Sequence, residues 1–317
     1  MRILDALTLM SSINYIHIYN MLHPITFSVP KEKICDNHNV KTKILSNLIP
    51  GVASTYIYNT EEEYYNEYKK SYFAITKQKA GWDCMRHYEI LANGCIPYFL
   101  NIENCPKNTL SLLPKELLIQ SNKLYEAKFK NTNINKLNQE EINEYNILRQ
   151  KLLEHTKNYL TTEKIAEYIL KNTNCENVSK ILYLSGDTNP DYLRCVTLHG
   201  FKMLFRDNCH DFPKIPHIYK SNSINYKQLY GKGITYTNLL EQNLHNDNLD
   251  NSIVEDIKSK YYDIVIYGSY HRGMPLYDLI SGIYNSNQII LLCGEDLHLC
   301  NNNHFVEKGH NVFVREL

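Results

Sequence analysis

The chain has no excess of either charge: 34 Lys and Arg balance 34 Asp and Glu. No broad field therefore draws it to nucleic acid or to an anionic membrane, and any anion site must be local. It has no apolar run long enough to span a bilayer, and the longest, around 288–293, reads as one buried strand. A signal-peptide pattern is absent too, since residues 1–10 run at once into the polar Ser11, Ser12 and Asn14, so a cytosolic location is expected. The nine cysteines contain no CxxC pair and are odd in number, which fits reduced thiols serving mostly as core filler. Cys195, Cys209, His210, Cys293, His298, Cys300 and His304 match no zinc-module spacing, and no metal is expected.

What is present is globular. Hydrophobic residues make up 43% and charged residues 21% of 317 positions, enough for two domains that each bury a core. The 26 Tyr against 9 Phe, with abundant Asn, Lys and Ile, follow AT-rich codons. That bias points to the source genome, a large virus or a low-GC microbe, and not to chemistry; for a viral chain the location becomes host cytoplasm or virion.

Thr60 followed by Glu61, Glu62 and Glu63 reads as a helix start, with Tyr64, Tyr65, Tyr68 and Tyr72 at helical spacing. Next come a strand at 72–76, a helix at 82–92 closed by Gly94, and a strand at 96–100. The polar, Asn-rich stretch 128–144 reads as a linker or exposed insertion, and 145–153 and 162–170 as connecting helices. A second unit then alternates strands at 181–184, 263–267, 288–293 and 311–314 with helices at 191–204, 252–260 and 276–284. Between them, 206–251 offers only short helical pieces such as 237–240. The expected fold is α/β with two Rossmann-like parallel-sheet domains: 1–130 for donor binding, 131–177 linking, and 178–317 as the second.

The chemistry-bearing segment is 77–99. Lys77, Lys79 and Gly81 precede a helix N-terminus, where free N–H groups and the dipole suit a diphosphate. Arg86 and Glu89, three apart, share a helix face: a guanidinium can grip phosphate and a carboxylate can accept two sugar hydroxyls. A plain salt bridge on a solvated face would use the same spacing.

With Gly94-Cys95-Ile96-Pro97 in register behind Arg86 and Glu89, about thirty residues resemble the donor-domain motif of GT-B glycosyltransferases, most closely the exostosin type. The resemblance implies a metal-independent enzyme without a cofactor, in which Glu89 holds the hydroxyls of a nucleotide-sugar donor while Arg86, with Lys77 or Lys79, holds its phosphates. The acceptor hydroxyl would belong to a glycan, lipid or protein. Two features depart from the family. Gly81 stands where many members carry a second Glu, and the donor motif lies in the first half, as in a permuted GT-B.

In the second half, Gly186-Asp187, Gly268 through Gly273 and Gly294-Glu295-Asp296 all follow strands, where α/β active sites gather. His271 with Asp187, Glu295 or Asp296 could supply a general base, and Arg272 could stabilise a leaving phosphate. Two other readings compete: a Rossmann-type methyltransferase centred on 184–187, whose expected glycine-rich loop is reduced to Gly186, and a non-catalytic binding or structural protein that keeps the fold.

Overall fold

A computed structural model describes residues 21–35, 39–296 and 302–317. Its strands, in chain order, are β1 (Leu22–Pro24), β2 (Lys43–Leu45), β3 (Ser71–Thr76), β4 (Ile96–Phe99), β5 (Ile181–Leu184), β6 (Cys209–Phe212), β7 (Ile264–Tyr267), β8 (Ile289–Cys293) and β9 (Asn311–Val314). The helices are α1 (Glu61–Lys69), α2 (Met85–Ala92), α3 (Lys115–Leu124), α4 (Gln139–Tyr159), α5 (Thr162–Asn172), α6 (Tyr192–Phe205), α7 (Asp247–Lys258), α8 (Tyr277–Ile283) and α9 (Asn302–Glu307). All strand pairings among the described residues are parallel. They form a six-stranded sheet of order β1-β9-β8-β7-β5-β6 and a three-stranded sheet of order β2-β3-β4.

The period-2 alternation of side chains explains why the large sheet is covered on both faces. Ile181 and Tyr183, Ile264 and Ile266, Ile290 and Leu292, and Phe313 all point into one core, which runs on without a break into the small-sheet lobe through Phe73, Tyr88 and Phe99. Leu182, Leu184, Val265, Tyr267, Leu291 and Val314 point the other way, onto Ile253 and Ile257 of α7, Ile280 of α8 and Val306 of α9. Tyr64, Tyr65 and Tyr68 back the small sheet with Ala74 and Ile90.

Several local expectations change. The α/β alternation holds, but β1 and β2 carry no pattern long enough to announce them, and β1 joins the large sheet beside β9 although it precedes the small sheet in sequence. The helix expected from 82 starts at Met85, because Glu316 holds the amides of Trp82 and Asp83 and the cap residue Cys84 is extended. The stretch 128–144 is no simple linker: Asn138 and Glu141 form a capping box that starts the 21-residue α4. No helix forms at 237–240, where Asn238 is left-handed and Leu240 bridges Tyr219. Within the same blurred region, β6 is a real strand, its polar His210 and Asp211 having hidden it. Seven described cysteines are free thiols, but Cys293 is disulfide-bonded, against the expectation of reduced thiols throughout. No helix among the described residues is long and apolar enough to cross a membrane.

Candidate functional site

The carboxyl ends of the two sheets meet along a seam. Residues 77–84 leave β3 and turn over the end of β9, so that Glu316 accepts from the amides of Trp82 (3.1 Å) and Asp83 (2.9 Å). Arg315, fully buried, donates to the Asp83 carbonyl at 2.6 Å, to Glu316 and to Asp296. Gly81 lies against Glu316 and the Asp296 carbonyl so closely that a Cβ there would collide with the Glu316 carboxylate. Asp83 accepts from the Phe27 amide and the Tyr88 hydroxyl, and its burial pushes its pKa up to about 7 against the pull of Arg315. Lys77 and Lys79 are exposed on this loop.

Behind the loop, α2 carries Arg86 and Glu89 inward. Both are buried, and they do not pair with each other as a solvated salt bridge would. Arg86 donates to the Tyr56 hydroxyl (3.1 Å) and to Thr76 (3.4 Å). Glu89 takes one hydroxyl on each oxygen: Tyr64 at 2.7 Å and Thr235 at 2.6 Å. Burial raises the Glu89 pKa, while Thr235, Tyr64 and Arg86 pull it back. Thr235 arrives from the second lobe in a left-handed conformation (φ 77°) and is also bonded to Tyr65 at 2.6 Å. Gly94 lies at the opposite end of α2, in the left-handed conformation that closes it, and its carbonyl accepts from Lys41 and Tyr145. It is therefore a helix stop away from the seam.

On the large sheet, Asp191 caps α6 through the Arg194 amide and also accepts from Ser269 (2.9 Å) and Arg272 (2.6 Å). Burial alone would raise its pKa, but the amide, both guanidiniums and the Ser269 hydroxyl hold it below the usual carboxylate range. Asp187 pairs with Arg194 at 3.0 Å and stands 3.7 Å from Arg272. Gly186 packs on the Arg272 backbone where no side chain could fit, and Gly268 on the Tyr183 ring. His271 finds its carboxylate in Glu295, at 3.2 Å, not in Asp187. Burial lowers its pKa despite Asp191 and Glu295, and its buried Nδ1 has no hydrogen-bond partner.

The structure thus gathers Lys77, Lys79, Gly81, Glu295, Asp296 and His271 along one seam. Asp187, Gly186 and Arg272 sit in a neighbouring ion-pair cluster, and Arg86 and Glu89 lie beneath the surface. Sequence reasoning missed Asp191, Arg194, Ser269, Thr235, Arg315 and Glu316. Four of these carry a readable signal: Asp191 stands three before Arg194 at a helix start, and Arg315-Glu316 follows a strand directly, as Glu295-Asp296 nearly does. Thr235 carries none, since it reaches Glu89 across 146 residues. His298 and Cys300 lie outside the described residues. No protein-family model, no curated protein and no solved structure matches the chain, so the site stands on its own geometry.

Proposed function

We propose that the chain is a glycosyltransferase of the nucleotide-sugar kind, moving a sugar from a nucleoside-diphosphate donor to an acceptor hydroxyl at the seam between the two sheets. The observation that carries this is the meeting of a basic loop with a histidine–carboxylate pair. Gly81 touches Asp296, next in chain to Glu295, which pairs with His271, while Lys77 and Lys79 stand exposed on the same loop. In this reading Lys77 and Lys79 take the charge of the departing diphosphate. His271 accepts the proton of the attacking hydroxyl on Nε2, where Glu295, 3.2 Å away, stabilises the imidazolium that forms. The acceptor oxygen bonds to the anomeric carbon as its bond to the diphosphate breaks. Glu89 already grips two hydroxyls, and a ribose or hexose diol entering from the seam would take the place of the Thr235 hydroxyl.

A second reading, a non-catalytic protein that keeps the fold, is favoured by that same closure: Glu89 is saturated by protein groups. Calorimetry and thermal shift against UDP, GDP, CDP, ADP, their sugar conjugates and S-adenosylmethionine separate the readings. One nucleotide sugar should bind and be hydrolysed or transferred. Lys77→Ala/Lys79→Ala should weaken binding at least tenfold, and His271→Asn should keep binding but lose turnover. Binding without turnover in the unsubstituted protein supports the second reading, and binding of S-adenosylmethionine alone ends both.

A further inference from the structure

At the edge of the large sheet, among residues that the proposed function does not use, three potential ligand groups converge. We propose that His210, His245 and Asp250 form a binding site for a divalent first-row cation, zinc foremost, tying the edge strand β6 to the first turn of α7. His210 Nε2 lies 3.0 Å from Asp250 Oδ1, His245 Nε2 lies 3.2 Å from Asp250 Oδ2, and the three ligand atoms all fall within 4.8 Å of one another. Atoms bound at 2.0–2.1 Å around a tetrahedral ion stand about 3.3 Å apart, so the cluster needs little movement to close on one.

At His210 the geometry differs from that of an ordinary hydrogen-bonded network. His210 is 2% exposed, yet its Nε2 and the facing Asp250 Oδ1 both lack a hydrogen-bond partner although they stand at hydrogen-bond distance. Close approach without alignment is what results when lone pairs aim at a shared point and not at each other. The outer groups fit as well. Asp211 Oδ1, which also takes the Tyr219 hydroxyl (2.6 Å) and Lys202 (2.7 Å), accepts from His245 Nδ1 at 2.9 Å. That holds a proton on His245 Nδ1, the carboxylate–histidine arrangement common behind metal ligands, while Nε2 hydrogen-bonds Asp250 Oδ2 at 3.2 Å, and a bound ion would take the place of the Nε2 proton. Asp247, highly exposed and 3.5 Å from His245 Nε2, can supply a fourth ligand. Lys202 balances Asp211, and Lys214 stands 3.8 Å from the exposed Asp247, which leaves Asp250 as the carboxylate free to meet the ion's charge. Two imidazoles select a borderline metal over calcium or magnesium, which take oxygen ligands. A pocket of about 430 Å³ lined by His210, His245 and Asp247 opens the cluster to solvent, so an ion has a path in.

The test uses the full chain, stripped with a chelator and titrated with zinc chloride by calorimetry. One zinc per chain should bind, raising the thermal midpoint, and Asp250→Asn should weaken binding at least tenfold while leaving the circular dichroism unchanged. Cobalt(II) in the unsubstituted protein should give the visible bands of a tetrahedral nitrogen and oxygen site without a thiolate charge-transfer band. No saturable uptake, unaltered affinity in a folded Asp250→Asn variant, or a cobalt–thiolate band pointing to cysteines would each overturn the site. Should Asp250→Asn not fold, the cobalt spectrum decides alone.

Discussion

Glu89 and Asp191 are both buried carboxylates beneath the carboxyl ends of parallel strands, and their surroundings push them in opposite directions. Burial raises Glu89, whose direct partners are neutral hydroxyls; Asp191 is held low by a helix-start amide, Ser269 and two guanidiniums. The contrast separates a group that holds the fold from one whose partners can be exchanged. Asp191 is the cap of α6 and the ion-pair partner of the partly exposed Arg272, while the buried Arg194 guanidinium keeps Asp187 as its own carboxylate. A sugar diol, by contrast, offers Glu89 the same two hydroxyl donors the protein now supplies. The contrast is sharpest under substitution. Asp191→Ala, which uncaps α6 and leaves Ser269 and Arg272 without their acceptor, should cost about 2–3 kcal/mol in urea unfolding. Glu89→Gln, which keeps an acceptor for Tyr64 or Thr235, should cost only about 1 kcal/mol. Equal losses would erase the distinction.

The same division predicts the pH profile. Asp83, Glu89 and Glu316 are raised chiefly by burial, so their contribution is fully present below the unfolded carboxylate pKa and is lost as pH climbs through their folded values, about 7 for Asp83. Asp187 and Asp191 are depressed against the effect of burial, so theirs is present above the unfolded value and lost as pH falls. Stability should therefore peak in mildly acid solution. Asp83→Asn should lessen the decline between pH 5 and 8 by on the order of 2–3 kcal/mol, read from urea midpoints at both pH values. A decline as steep in the variant as in the parent would move the effect from Asp83 to other groups.

How far the sequence foretells all this depends on range. The alternation of apolar residues at 181–184, 264–267 and 289–293 is a local signal, and it placed the large sheet and the strand ends where Gly186, Gly268 and Glu295 lie. Thr60 and Glu63 likewise announced α1 from four residues. The burial of Arg86 and Glu89 was not legible, because it depends on Tyr56, Tyr64 and the distant Thr235. The edge strand β6 was hidden for the opposite reason: its side chains satisfy polar partners around Asp211, so it lacks the apolar run of its neighbours. Local pattern thus gave the scaffold, and long-range hydrogen bonds decided which polar residues face solvent.

Thr235→Val probes the exchange argument at smaller scale. Removing the hydroxyl leaves one oxygen of a buried carboxylate without a donor and should cost about 1–3 kcal/mol. If a donor sugar must displace that hydroxyl, nucleotide-sugar affinity should hold or rise in the variant despite the lost stability. A fall in affinity that tracks the fall in stability would make Glu89 a structural residue like Asp191.

The smallest effect on stability belongs to the loop. Lys77 and Lys79 are exposed and make no ion pair among the described residues, so Lys77→Ala/Lys79→Ala should change unfolding free energy by no more than about 0.5 kcal/mol. Their value to the proposed reaction comes from their placement after β3, beside Gly81 and the Glu316-held amides, where a diphosphate would find two cations whose charge nothing else in the fold consumes. Buried residues of the seam cannot be tested this cleanly, because replacing Arg315 or Glu316 disturbs fold and ligand together. A variant equal to the parent in urea but at least tenfold weaker for a nucleotide sugar would place ligand recognition on the open side of the seam. Undiminished affinity would instead direct attention to the cluster around Arg272, whose guanidinium is the partly exposed member of the Asp191 network.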